Sequence, residues 1–155
     1  MSVDIEARLE ELGITLPLPA APAANYVPFV ISGSYLYISG QLPIEAGTIG
    51  VAGLLGDTVD IANGQRAAEL CAINILAQAK LALGGDLSRI RRVVKLNGFI
   101  ASKPTFTEQH LVMNGASNLI AKVLGDAGIH ARAAVGMAAL PFNAAVEVDA
   151  VIEIA

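Results

Sequence analysis

From Val146 to Ile154 the residues alternate. Val146, Val148, Ala150, Ile152 and Ile154 fall on one side; Glu147, Asp149, Val151 and Glu153 fall on the other. A period of two belongs to a β-strand, whose successive side chains point to opposite faces of a sheet. A strand so apolar on one side needs that side covered. The chain must therefore build a sheet with one dry face and supply helices to lie on it.

Two segments carry the matching helical period. Over roughly 60–83, Ala68, Ala72, Ile75, Ala79 and Leu83 recur at helical spacing and make an apolar stripe that ends at Gly84-Gly85. A second helix is predicted to start at Thr105-Phe106-Thr107-Glu108, a Thr-x-x-Glu capping box directly after Pro104. It runs to about Leu124, with the pairs 111/112, 115/116, 119/120 and 123/124 on one stripe. Gly115 costs such a helix about 1 kcal/mol relative to alanine, which suggests that a backbone or a ligand comes close there. A short amphipathic helix is expected over 3–12, with Ile5, Leu9 and Leu12 on one face and Gly13 as its stop.

Further strands are expected at Phe29–Ile31 and Tyr35–Ser39, joined through Ser32-Gly33-Ser34, and at Arg91–Ile100. Segments 131–139 and 144–154 read as a closing hairpin around Leu140-Pro141-Phe142-Asn143. Residues 47–56 hold four glycines and read as a loop with one short strand; no Gly-Lys-Ser/Thr follows, so a phosphate loop is excluded. The order is β-β-α-β-α-β-β: an α+β fold, with two helices packed on one face of a sheet and the other face expected to meet another subunit.

Composition supports that last point. Hydrophobic residues make up 54% of the chain and charged residues 15%, against a usual charged share of about 25%. A monomer this poor in charge would expose large apolar patches, which usually mark interfaces. A membrane is not the explanation. The longest uncharged run, between Glu11 and Glu45, is broken by Pro17, Pro19, Pro22, Pro28 and Pro43. Asp4, Glu6, Glu10 and Glu11 rule out a secretory signal at the start, so a cytoplasmic location is expected.

The net charge of −4 argues against nucleic acid as a partner. The one basic cluster, Arg89, Arg91, Arg92 and Lys95, reads as a solvated strand face. Cys71 is the single cysteine, so an internal disulfide and multi-cysteine zinc sites are excluded. It has no basic neighbour to activate it and reads as a buried structural thiol. His110 and His130 are too few for a histidine-rich metal centre, and His130 reads as a solvated strand-edge residue.

Arg132 stands out. It is the single charged side chain between Asp126 and Glu147, in a strand of small residues, with Ala134, Gly136 and Ala138 as its alternation partners. A guanidinium so placed needs an anion. It is either an internal salt bridge or a fork that holds a ligand carboxylate by two hydrogen bonds. In the expected hairpin Ala139 faces Ala144 and Gly136 faces Glu147, which puts Arg132 and Glu147 on one face about 13 Å apart along the strand. That is too far for direct contact and leaves room for a ligand between them.

Ser39-Gly40-Gln41-Leu42-Pro43, Val93-Val94-Lys95, Ala131-Arg132-Ala133-Ala134-Val135, Leu140-Pro141 and Val146-Glu147-Val148 together resemble the RidA family of reactive-intermediate deaminases, also labelled L-PSP endoribonucleases. The likeness runs from about Tyr26 to residue 155. The helix near the start, Asn114-Gly115-Ala116-Ser117 and Gly128-Ile129-His130 resemble a longer branch of the family. The chain then reads as one RidA-like domain, 1–155, with an N-terminal extension at 1–25.

The resemblance implies a chorismate-mutase-like fold and a homotrimer with clefts between subunits. It also implies hydrolysis of small 2-enamine or 2-imine acids to 2-keto acids and ammonia, with no metal or organic cofactor. Carried over, Arg132 matches the carboxylate-binding arginine and Glu147 the acidic residue beside the reacting water. Ser39 and Gly40 match the pocket's Ser-Gly, Tyr26 its aromatic wall, and Asn114 its asparagine, with His110 as the alternative. Tyr26 and Asn114 also have plain readings, as a packed aromatic and a helix-surface amide. Short-branch members carry cysteine two residues after the arginine, where this chain has Ala134, which favours a second reading: a non-catalytic binding protein for small carboxylates. Ribonuclease action ranks third, because aromatic residues are 5% of the chain and its charge is negative.

Overall fold

The computed structural model describes residues 3–19, 21–22 and 24–155. A short helix α1 (Ile5–Glu11) precedes the hairpin β1 (Phe29–Ser32) and β2 (Tyr35–Gln41). A small second hairpin follows, β3 (Ile44–Glu45) and β4 (Thr48–Ile49), then helix α2 (Ile61–Ala82). The chain continues through β5 (Ile90–Ala101), α3 (Gln109–Leu124), β6 (Ala131–Met137) and β7 (Val146–Ile154). The glycine-rich region 47–56 holds the one short strand expected there, β4; its partner β3 lies just before it, and Ala46 and Gly47, both with positive φ, reverse the chain tightly between them.

The five-stranded sheet has the order β1-β2-β7-β5-β6. β7 is central, antiparallel to both β2 and β5, while β6 lies on the outer edge, parallel to β5. This overturns the expected closing hairpin. Its cause is competition for buried area. β7 carries an apolar row worth placing in mid-sheet, and Val146, Val148, Ala150, Ile152 and Ile154 are all buried. β6 is built of small residues and has little to bury. It returns beside β5 through α3, the usual crossover for a parallel pair.

The segment 138–145 then passes the end of β5 to reach β7. Phe142 and Asn143 turn it with φ of 57° and 59°. The Gly53 N–H donates to the Asn143 carbonyl, and the Ala145 N–H to that of Val51.

α2 and α3 cover one face of the sheet as expected. The whole predicted α2 stripe is buried, and the helix is capped by Asp60, whose carboxylate accepts from the Asn63 N–H at 2.8 Å. Cys71 is fully buried beneath β7. Burial first, and the Glu147 carboxylate second, push its thiol pKa well up, as suits an inert thiol.

α3 starts later than its capping box predicted. Gln109 is its first residue, and Glu108 makes no side-chain cap. Residues 105–108 stay outside the helix: a turn at Pro104-Thr105 is closed by the Phe106 N–H on the Lys103 carbonyl, and the Gln109 amide donates to the Phe106 carbonyl at 2.7 Å.

The N-terminal segment joins this helical layer. Ile5 and Leu9 are buried, Leu12 lies at the rim, and Glu6 pairs with Lys80 of α2 at 2.9 Å. Met1 and Ser2 of the extension, and Ala20 and Ala23 of the proline-rich stretch 16–28, lie outside the described residues. Ile14 and Leu16 pack against the core, whereas Leu18 is exposed.

Among the described residues no helix lies on the opposite sheet face. Register places Val30, Tyr37, Val151 and Lys95 in one row there, and Val30 and Tyr37 are each about half exposed. Arg89 binds the Ala155 carbonyl through Nε and Nη2, and Arg91, Arg92 and Lys95 stand exposed.

The helix crossing explains Gly115. A β-carbon there would collide with the backbone carbonyl of Gln65, and Gln65 in turn donates its amide to the Leu111 carbonyl at 2.9 Å. Gly115→Ala gains helix propensity but forces the helices apart. A net loss of about 1–2 kcal/mol follows from overpacking, to be read as a lower urea midpoint at unchanged slope.

Candidate functional site

Arg132 points to the helix side of β6, since it is in register with buried Leu96 of β5. There it meets α3. Nη1 donates to Ser117 Oγ at 3.0 Å and Nη2 donates to the His110 carbonyl, also at 3.0 Å. Both anchors are neutral. Among the described residues no carboxylate lies within ion-pair distance of this guanidinium. Asn114 lies on α3 between the two anchors, on the same face at helical spacing and half-buried. His110 has an exposed side chain and contributes its backbone oxygen.

Behind Ser117 stands His130. Its Nε2 lies 2.9 Å from Ser117 Oγ and its Nδ1 lies 2.6 Å from the Gly128 carbonyl. It is partly buried and bonded on both ring nitrogens, not a solvated edge residue as its sequence position suggested. The early signal was there: Ser117 falls three residues after Asn114 on the same helix face, and His130 falls two before Arg132 on the same strand side.

Glu147 is elsewhere. Its register partner is Phe99, on the open face of the sheet. Arg132 and Glu147 therefore do not share a face. Counting through β5, they are separated by about 10 Å across the strands and about 10 Å along them. The expectation of a common face rested on the hairpin that does not form.

Glu147 instead packs on Gly40, where a β-carbon would clash with its carboxylate. The close approach falls where the pairing of β2 with β7 shifts register between Ile38 and Gln41. Ser39 Oγ donates to the Val27 carbonyl at 2.8 Å, and its N–H donates to that of Pro28. Ser39 thereby ties down the segment that carries half-exposed Tyr26. Burial, with the Asp149 charge second, raises the Glu147 pKa above the ordinary carboxylate value.

The predicted site residues thus form two groups on one chain. Arg132 and Asn114 lie at the β6–α3 edge; Tyr26, Ser39, Gly40 and Glu147 lie at the β2 bulge. Ala134 follows Arg132 on the same side and packs against the core.

A family model described as "YjgF/chorismate_mutase-like, putative endoribonuclease" matches residues 6–154. The chain belongs to this family. It is the one that the Ser-Gly-Gln, Ala-Arg and Val-Glu-Val motifs resemble under the name RidA. Protein TCP17 of Trypanosoma cruzi is 53% identical over 151 residues, covering 97% of this chain and 94% of that one. The Agrobacterium tumefaciens protein Atu1372 is 70% identical with a TM-score of 0.92, over 97% of this chain and 92% of that chain. The E. coli protein TdcF, solved with bound serine, is 23% identical with a TM-score of 0.63, over 89% of this chain and 94% of that chain, and shares the fold.

The Glu147 pKa sets a sign for stability. A carboxyl whose pKa is raised on folding binds more protons folded than unfolded between its ordinary and its raised pKa, so stability falls as pH rises through that window. Glu147→Gln is expected to raise the melting temperature at pH 7. The gain should shrink to nothing as pH drops below the ordinary carboxylate pKa, in paired calorimetric scans.

Proposed function

We propose that this protein hydrolyses small 2-enamine and 2-imine acids to 2-keto acids and ammonia in clefts between the subunits of a homotrimer. One observation carries the reading: Arg132 is a half-buried guanidinium anchored by two neutral acceptors and no carboxylate. Of its five N–H donors, two are engaged, which leaves three for an anion. A planar carboxylate is the partner such a fork accepts best.

The two groups of site residues support the trimer. Arg132 and Glu147 face opposite ways on one chain, so a second copy must bring its Glu147 to the first copy's Arg132 for both to act on one substrate. The open sheet face, with Val30, Tyr37 and Val135 each about half exposed, is the natural surface for that contact.

In this arrangement Arg132 holds the carboxylate, with Asn114 beside it and Tyr26 as the wall. Glu147 takes a proton from water as its oxygen adds to C2 of the imine. It returns that proton to the nitrogen, giving a carbinolamine with a hydroxyl on C2; the hydroxyl then passes its own proton through the same carboxylate to the nitrogen as its oxygen forms the C2=O bond, the C2–N bond breaks, and ammonia leaves. A carboxyl with a raised pKa suits both halves of that transfer. No cofactor or metal takes part in this scheme.

A second reading, a carboxylate-binding protein without turnover, is favoured by Ala134 in the position where short-branch relatives carry cysteine. The serine bound to TdcF, at the level of shared fold, is compatible with either reading. The endoribonuclease of the family description ranks below both, because the net charge is −4.

Measurements of mass, ligand binding and turnover each have an expected outcome. Light scattering gives about three times the chain mass of 15.9 kDa; a monomer at micromolar concentration refutes the shared cleft. Pyruvate and 2-oxobutyrate raise the melting temperature in proportion to occupancy, while their uncharged amides do not. Arg132→Lys, which keeps the charge and loses the fork, costs most of that affinity. Keto-acid release from 2-aminoacrylate, generated in place by a dehydratase, is lost in Arg132→Ala while the trimer persists. If keto acid and amide bind equally, Arg132 is structural. If binding survives without turnover, the second reading holds.

A further inference from the structure

We propose that Ser117 and His130 are positioning residues that act on the substrate carboxylate through Arg132; the inference rests on the carboxylate-binding role assigned to that arginine. The chemistry of the chain fixes the direction of every bond in it. The Gly128 carbonyl can only accept, so His130 Nδ1, at 2.6 Å, must carry a proton. In the neutral ring Nε2 is then a lone pair. Ser117 Oγ, at 2.9 Å from that lone pair, donates its one proton to it. A hydroxyl so committed turns its own lone pairs toward Arg132, whose Nη1–H it accepts at 3.0 Å.

The relay thus runs from Arg132 through Ser117 and His130 to the Gly128 carbonyl, with the direction of each hydrogen bond fixed. The His110 carbonyl fixes the other nitrogen, Nη2, at 3.0 Å. With both ends clamped, the guanidinium plane cannot rotate, and its remaining N–H groups hold one direction toward the edge of β6.

The elements enforce this. His130 and Arg132 project from the same side of the strand entry, two residues apart, and Ser117 sits on α3 above them both. A lone serine would hold the arginine less well, because its hydroxyl could rotate and donate elsewhere. An imidazole with its Nδ1 proton tied to a backbone carbonyl removes that freedom. The arrangement parallels a serine–histidine pair oriented by a third group. Here the serine is occupied by the arginine, so the pair serves orientation.

Two measurements test this, one without ligand. Long-range proton–nitrogen spectra of the free protein, at a pH where the ring is neutral, should show His130 as the Nδ1–H tautomer. The separate Arg132 Nη signals expected of a clamped guanidinium should merge in Ser117→Ala and in His130→Leu. An Nε2–H tautomer, or an Arg132 signature unchanged by both substitutions, overturns the relay.

The second measurement is pyruvate binding by calorimetry on the assembled protein. Removing one well-made bond to a charged group should weaken binding about tenfold in Ser117→Ala and likewise in His130→Leu. The double variant should lose about the same tenfold, since both act through one chain. His130→Gln, which returns an acceptor to Ser117, should recover most of the loss. In turnover these variants should raise KM and leave kcat near its wild-type value. Losses that multiply in the double variant, or no rescue by glutamine, mean that the two residues are merely structural, and the proposal fails. If wild type and Arg132→Ala hold pyruvate equally, the carboxylate reading fails instead, and the spectra alone decide the relay. Should His130→Leu not fold, Ser117→Ala and His130→Gln carry the comparison.

Discussion

Both edges of β7 are paired, and the rest of the molecule follows from that. Its apolar row meets α2, its neighbours β2 and β5 close the sheet around it, and the next strand outward, β6, takes the remaining edge and meets α3. A strand with five buried apolar positions in a row contributes most when no part of it is left at a margin. Placing it centrally forces β6, with its short side chains, to the periphery. The periphery is where a partly buried arginine can reach a ligand.

The same choice parts the site residues. The bulge in β2 lets Glu147 lie on Gly40 on the open face, while α3 draws Arg132 to the covered face. No rearrangement of side chains on one chain brings them together, because the sheet lies between them. The trimer proposed for this protein answers that separation: one copy supplies the cation, its neighbour the acid. A cleft assembled this way depends on contact surfaces as much as on catalytic groups, which gives the low charge content of the chain a purpose.

Arginine on an edge strand carries a risk, since a long side chain in a shallow setting has many rotamers to choose from. Ordering it before the ligand arrives lowers the entropy lost on binding. Ser117 Oγ and the His110 carbonyl hold it through neutral oxygen acceptors, so the positive charge stays available. A carboxylate in their place would hold the arginine as firmly and neutralise it. The choice of anchors separates a binding arginine from a structural one.

Much of this was legible in the residues. Period-two and helical spacing located β7, α2 and the greater part of α3, and the isolation of Arg132 among alanine and glycine marked it without any partner in view. Gly115 announced a close approach, which proved to be the backbone of Gln65. The capping box at 105–108 misled, because a local motif was outbid by the turn that Gln109 closes onto Phe106. Periodicity tells which residues share a side of a strand, but it is silent on which strand lies next to which. Strand order is settled by competition among distant segments for buried area and paired edges. That competition alone decided that β5 separates β6 from β7, that Arg132 and Glu147 face apart, and that His130 meets Ser117.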